Sequence, residues 1–121
     1  MAFTERMATR THTSGSAIAQ FTFVSLAADG QVDNTAANLR TDGVALMGAV
    51  GAGEAITVAY DGRVTVQAGG TIARGAAVAV GTAGKAKAAA ATNVIVGFAL
   101  EAGVDGQIIT VELSRADKAA V

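Results

Sequence analysis

Residues 54–67, EAITVAYDGRVTVQ, decide the fold class of this chain. Apolar and β-branched residues alternate with other residues on both sides of Asp61 and Gly62, which is typical of two β-strands joined by a turn. A two-residue loop would place valines opposite threonines, whereas a three-residue loop that ends at Gly62 pairs Val58 with Val64. We therefore predict a β-hairpin with a three-residue loop and a left-handed backbone at Gly62.

Further short segments of the same character follow one another along the chain, separated by glycine-containing turns. They are residues 17–26, 76–80, 93–100 and 107–113. Residues 85–92, KAKAAAAT, leave a short helix and an extended connection equally open. The pattern as a whole predicts an all-β fold, either a small compact barrel-like domain or a β-clip or β-tulip-like one.

One sequence motif occurs twice. GVAL at 43–46 is followed by GEAITV at 53–58, and GFAL at 97–100 is followed by GQIITV at 106–111. Two copies are too few for a solenoid, which needs about three or more repeats. We therefore expect two similar strand-turn-strand corners in one β-structure, with a bend or a close backbone approach at each leading glycine.

The composition describes one small domain with a thin core. Apolar residues make up 51% of the 121 residues, but aromatic residues only 4%. Alanine supplies much of the apolar fraction, and it buries far less surface than the large side chains, which contribute roughly 1.5–3 kcal/mol each. We expect such a chain to complete its burial by assembly with neighbours.

Charge and residue types exclude several function classes. The formal net charge is -1, from 9 basic and 10 acidic residues, so neither nucleic acid nor an anionic membrane is an expected partner. The chain has no cysteine and a single histidine, His12, which lacks a second group to form a triad or a metal site. We therefore predict no enzyme activity, no metal and no cofactor.

The acidic residues and glycine-rich segments favour turns over chemistry. Four aspartates precede glycine, an arrangement that turns require. They are Asp29, Asp42, Asp61 and Asp105. Residues 48–53 lack the glycine order of a dinucleotide-binding loop, and residues 81–86 lack that of a phosphate loop.

The beginning of the chain differs from the rest. Residues 1–16, MAFTERMATRTHTSGS, are polar and rich in threonine, without a repeating apolar period. We interpret them as an extended N-terminal arm, with a frayed terminus as the alternative. Residues 17–121 then form a single β-rich domain.

The order of several sequence blocks between residues 17 and 113 resembles the small cement or decoration proteins of tailed-phage heads. The blocks are GVAL (43–46), GEAITVAYDGRV (53–64), IARGAAVAV (72–80), GKA (84–86), VIVGFALEA (94–102) and GQIITVEL (106–113). The resemblance implies a non-enzymatic virion protein on the outer surface of the capsid, commonly a homotrimer at three-fold and quasi-three-fold sites. It also implies that the protein clamps neighbouring subunits of the major capsid protein and so stabilises the expanded capsid.

Within this interpretation the N-terminal arm supplies candidate contacts with the capsid. We expect Phe3 and Met7 to act as apolar anchors, Arg6 and Arg10 to meet acidic patches, and His12 to lie in the same contact.

Two alternatives remain beside the cement protein. One is another virion component, such as a head-fibre base or a tail protein, which the same β-rich composition permits. The other is a small carrier or binding module, because Asp117-Lys118-Ala119 is similar to the tripeptide around the modified lysine of lipoyl carrier domains.

Overall fold

The computed structural model describes residues 8–28, 31–90 and 93–113, whose regular secondary structure is almost entirely β-strand. The strands of the described residues are β1 (Ala8–Ser14), β2 (Phe23–Ala28), β3 (Gln31–Asn34), β4 (Gly43–Ala45), β5 (Ala55–Asp61), β6 (Arg63–Gln67), β7 (Ala77–Val80), β8 (Ala86–Ala88), β9 (Gly97–Ala99) and β10 (Ile108–Leu113). One 3-10 turn, η1 (Thr82–Gly84), follows β7. The predicted all-β, barrel-like fold is confirmed.

The first five strands close into a barrel in the order β1-β3-β2-β4-β5, with β5 pairing back to β1. Neighbouring strands are antiparallel except β1 and β3, which are parallel. We call residues 8–61 the first unit. Its interior contains Ile18, Val24, Val32, Ala45, Ala49, Ile56 and Val58.

The remaining strands, residues 63–113, form a second unit with the same connectivity. Their sheet order is β6-β10-β9-β7-β8. A parallel bridge between Ala68 and Ala86 links the end of β6 to β8, in the way that the parallel partners Ser14 and Val32 link β1 to β3. Strand for strand, β6 to β10 therefore correspond to β1 to β5.

The correspondence extends to individual hydrogen bonds. The Phe21 N–H donates to the Ala45 carbonyl oxygen at 2.7 Å, and the Gly75 N–H donates to the Ala99 carbonyl oxygen at 2.7 Å. Phe21 and Gly75 both have positive φ, at 62° and 85°. The chain is thus an internal repeat in which equivalent residues occupy equivalent register positions.

The repeated motif marks the most similar part of the two units. In the first unit β4 pairs with β5 and aligns Ala45 with Val58, and in the second unit β9 pairs with β10 and aligns Ala99 with Val111. Both alignments join the alanine of the GxAL motif to the valine of the ITV motif. The prediction of two similar strand-turn-strand corners is confirmed.

The predicted hairpin at residues 54–67 is wrong. β5 pairs with β1 and β4, whereas β6 pairs with β10, so the two strands belong to different sheets. Gly62 between them has a φ of 97°, as expected for a left-handed glycine, but it carries the chain from one unit into the next. Val58 lies inside the first unit and Val64 in a second buried cluster. The sequence thus predicted the left-handed turn at Gly62 correctly but assigned the wrong partners to β5 and β6.

The predicted boundary between an arm and a domain at Ser16 is also wrong. Residues Ala8–Ser14 form β1, which pairs with β5 from Ala8 to Thr13, with a register shift after Ala8, and with β3 at its end. Main-chain hydrogen bonds to two neighbours hold this strand in the barrel, and such bonds do not require apolar side chains. The described part of the predicted arm is therefore an integral barrel strand.

Two smaller expectations are settled by backbone geometry. The positive φ of Phe21 interrupts the predicted strand at 17–26, so β2 starts only at Phe23. The alanine-rich segment after η1 is extended, as β8, and pairs with β7. The described residues contain no helix with the length and hydropathy needed to cross a membrane.

Candidate interaction surface

The sequence-predicted contact residues that the structure describes lie on β1. Arg10 is exposed, and its guanidinium carbon lies 5.0 Å from the centroid of the Tyr60 ring on β5, a cation–π contact. His12 is half-buried and pairs with Ile56. Phe3, Arg6 and Met7, like Lys118, lie outside the described residues.

Arg10 and Tyr60 belong to one end of the first barrel. Cross-strand partners share a face, and residues two apart on a strand do so as well, so both side chains lie on the same face as the interior residue Val58. Leu26 extends this face at the end of β2, opposite Val32, and is 57% exposed. We call Arg10, Leu26 and Tyr60 the first-unit rim.

The equivalent end of the second unit is buried. Its residues are Val64, Val80 and Leu113, which we call the second-unit rim. They belong to the interior cluster of the second unit, together with three residues from the outer face of the first barrel. The first unit therefore covers the second-unit rim.

The three covering residues form a cross-strand row. Phe23 pairs with Val44 and Val44 pairs with Ala59, and all three are fully buried. We call this set the first-unit row. Hydrogen bonds fix the same contact, since the Asn38 N–H donates to the Val80 carbonyl oxygen at 2.9 Å. The two units thus pack head to tail, with the row of one on the rim of the other.

The equivalent row of the second unit is largely exposed. Ala77 pairs with Phe98 and Phe98 pairs with Glu112. Phe98 is 44% exposed, and Glu112 forms an exposed ion pair with Arg63, with 3.6 Å between Oε1 and Nε. We call Ala77, Phe98 and Glu112 the second-unit row. It carries an exposed aromatic side chain where the first-unit row has the buried Val44.

Each unit also presents one exposed valine on the loop before its last strand. In the first unit the Glu54 carboxylate accepts the N–H groups of Val50 and Gly51, at 2.9 and 3.0 Å. In the second unit the Gln107 side-chain oxygen accepts the Val104 N–H at 2.9 Å. Equivalent side chains therefore hold equivalent loops, and the exposed valines are displayed on fixed backbones.

Two of the four aspartates that precede glycine accept main-chain N–H groups. The Asp42 carboxylate accepts the Leu26 N–H at 2.8 Å, and the Asp61 carboxylate accepts the Gly62 N–H at 2.9 Å. Among the described residues, no group of three or more histidine, cysteine or acidic side chains is placed to hold a metal ion. The candidate site on the described surface is therefore the set of exposed apolar and charged residues of the first-unit rim, the second-unit row and the two valine loops.

Comparison with known proteins identifies a similar fold. No family model and no curated protein matches the chain. Among solved structures it is similar to the N base of head fiber gp8.5 from bacteriophage phi29, with a TM-score of 0.76 and 23% sequence identity. The alignment covers 93% of this chain and 98% of that chain. The chain has the fold of that base domain.

Sequence reasoning identified Arg10 as a contact residue but missed the other members of the rims and rows, although Phe98 left a trace in the sequence. Phe98 replaces Val44 in the second copy of the GxAL motif, so a large aromatic residue occupies the position of a small aliphatic one. Which of the two is covered depends on how the units stack, and that contact involves residues far apart in the sequence.

Proposed function

We propose that this chain is a structural protein of a phage virion, attached to the outer surface of the head, with a non-enzymatic role. The observation that carries the proposal is the fold shared with a head-fibre base domain over nearly the full length of both chains. Fold similarity by itself is an analogy. Exposed large apolar residues on both units are available for contacts with the head.

Two specific roles follow within this proposal. In the first, the protein cements neighbouring subunits of the major capsid protein and stabilises the expanded capsid, as a homotrimer at three-fold and quasi-three-fold sites. The block order of the sequence supports this role. In the second, the protein is the base that attaches a fibre to the head, and the similarity to a fibre base supports it.

Binding to shells tests the proposal as a whole. The purified chain is mixed with expanded and unexpanded shells of its cognate phage, and bound protein is separated by sedimentation. We expect binding to expanded shells. Absence of binding to either form would contradict attachment to the head.

Shell stability then separates the two roles. A cement protein clamps adjacent subunits, so expanded shells saturated with it should disassemble at a higher temperature than bare shells. A fibre base binds without joining many subunits, so saturation should leave that temperature unchanged. A reconstruction of intact particles gives the number and position of the copies and provides an independent check.

A further inference from the structure

Among the residues that the structure describes, the contact between the two units leaves one rim and one row exposed. Inside the chain, the first-unit row covers the second-unit rim, and every residue of both sets is buried. The second-unit row and the first-unit rim are the equivalent surfaces at the opposite ends of this stack. The internal contact joins two different surfaces, a row and a rim, and the equivalent row and rim are exposed. It is therefore heterologous and not two-fold symmetric.

We propose that these two free surfaces bind each other between copies of this chain, so that the second-unit row of one copy packs on the first-unit rim of the next. The occupant of each surface is thus a second copy. Such an intermolecular contact would repeat the contact inside the chain. This continuity, and not the proposed virion role, supports the pairing.

Apolar side chains at both surfaces support this pairing. Phe98 takes the position that Val44 holds in the internal contact, and Leu26 takes that of Val80. Val44 and Val80 are fully buried, whereas Phe98 is 44% and Leu26 is 57% exposed. Docking of the two free surfaces would remove both large side chains from water.

Charge complementarity points to the same partner. The row contains Glu112 and the rim contains Arg10, where the internal contact has Ala59 and Val64. In the repeated contact the row of one copy would thus bring an acidic residue, and the rim of the next copy a basic residue, into the same interface. The Glu112 side chain is 55% exposed beside Arg63, so its carboxylate is accessible to a second cation. Opposite charges on the row and on the rim favour the pairing of these two surfaces over the pairing of two rows or two rims.

A heterologous contact either closes into a ring or continues as a chain of copies. The homotrimer proposed above is one ring that this contact could build. Failure of the shell-binding experiment would leave the present inference intact, since self-association is measured on the purified protein alone.

The test measures mass by sedimentation velocity from micromolar to millimolar protein. We expect the mass of the wild type to rise with concentration. Phe98→Glu places a charge in the second-unit row, and Leu26→Glu places one in the first-unit rim. Each variant alone should associate at least ~100-fold more weakly than the wild type, because association would bury a charge without a partner. Val50→Glu is the matched control, a charged substitution at an exposed valine outside both surfaces, and it should associate like the wild type.

Mixing the two defective variants gives the decisive result. Phe98→Glu retains an intact rim and Leu26→Glu retains an intact row, so their mixture should form a one-to-one dimer and nothing larger. Circular dichroism confirms that both variants are folded. A wild type that stays monomeric, single variants that associate normally, or a mixture that stays monomeric would each overturn the proposal.

A charge exchange provides a second measurement. Arg10→Glu and Glu112→Arg should each weaken association, and a chain carrying both changes should recover at least part of it. If the double variant associates no better than the single ones, the two residues do not face each other and the proposed register is wrong.

Discussion

Substitution of Gly97 by alanine should destabilise the protein, because the added methyl group would meet the main chain of a neighbouring strand. A Cβ at this position would lie 2.5 Å from the carbonyl oxygen of Glu112 and 2.9 Å from Cγ1 of Val111. The first distance falls about 0.9 Å short of ordinary contact in a close-packed interior. The nearest atom belongs to the main chain of β10, so β9 and β10 would have to separate and their ladder would weaken. We expect a loss of about 2–3 kcal/mol in the free energy of unfolding.

Urea unfolding followed by circular dichroism measures this loss, and thermal unfolding checks it at roughly 4 °C per kcal/mol for a domain of this size. Gly43→Ala should behave alike, because its Cβ would lie 2.5 Å from the Ala59 carbonyl oxygen in the equivalent place. Gly51→Ala is the control, since a Cβ there meets nothing within 4 Å, and it should change stability by less than about 0.5 kcal/mol. A Gly97→Ala variant as stable as the control would refute the close-approach argument.

Two further predictions concern the loops and the contact between units. Glu54→Ala should cost about 1 kcal/mol, because the N–H groups of Val50 and Gly51 lose their shared acceptor, and Glu54→Gln should cost less, since a glutamine fills this role in the second unit. Urea midpoints that do not distinguish the two variants would contradict this. Phe23→Ala should lower the free energy of unfolding by about 3–5 kcal/mol, because the Phe23 side chain is fully buried between the units. Phe98→Ala, measured on dilute protein, should lower it much less, because Phe98 is exposed. Equal losses would show that the two units are not packed as described.

The sequence contained enough information to predict the repeated corners but not the pairing of the strands. Local alternation identified β5 and β6, and Gly62 was correctly expected to have a left-handed backbone. A hairpin and a crossing between two sheets present the same local pattern, because both need two strands and a turn. What separates them is that β1 lies far away in the sequence and offers β5 a partner along its whole length.

β1 itself was missed for a related reason. Its sequence, ATRTHTS, contains threonines at alternate positions, which favour strands, but it has no apolar stripe to indicate a buried face. The barrel needs it for closure, since β1 supplies the main-chain partners of both β3 and β5. A strand that contributes backbone pairing more than side-chain burial leaves little trace in an apolar pattern.

The two free ends of the stack are the part of the structure that bears most directly on assembly. In an array of repeats that ends in solvent, the terminal surfaces are usually polar caps. Here the rim has Arg10 but also the exposed Leu26, and the row has Glu112 but also the exposed Phe98. Charged residues alone would have kept both ends soluble. The large apolar side chains beside them are better explained if each end is covered in the working assembly, and the geometry of the internal contact identifies the other end as a surface that fits.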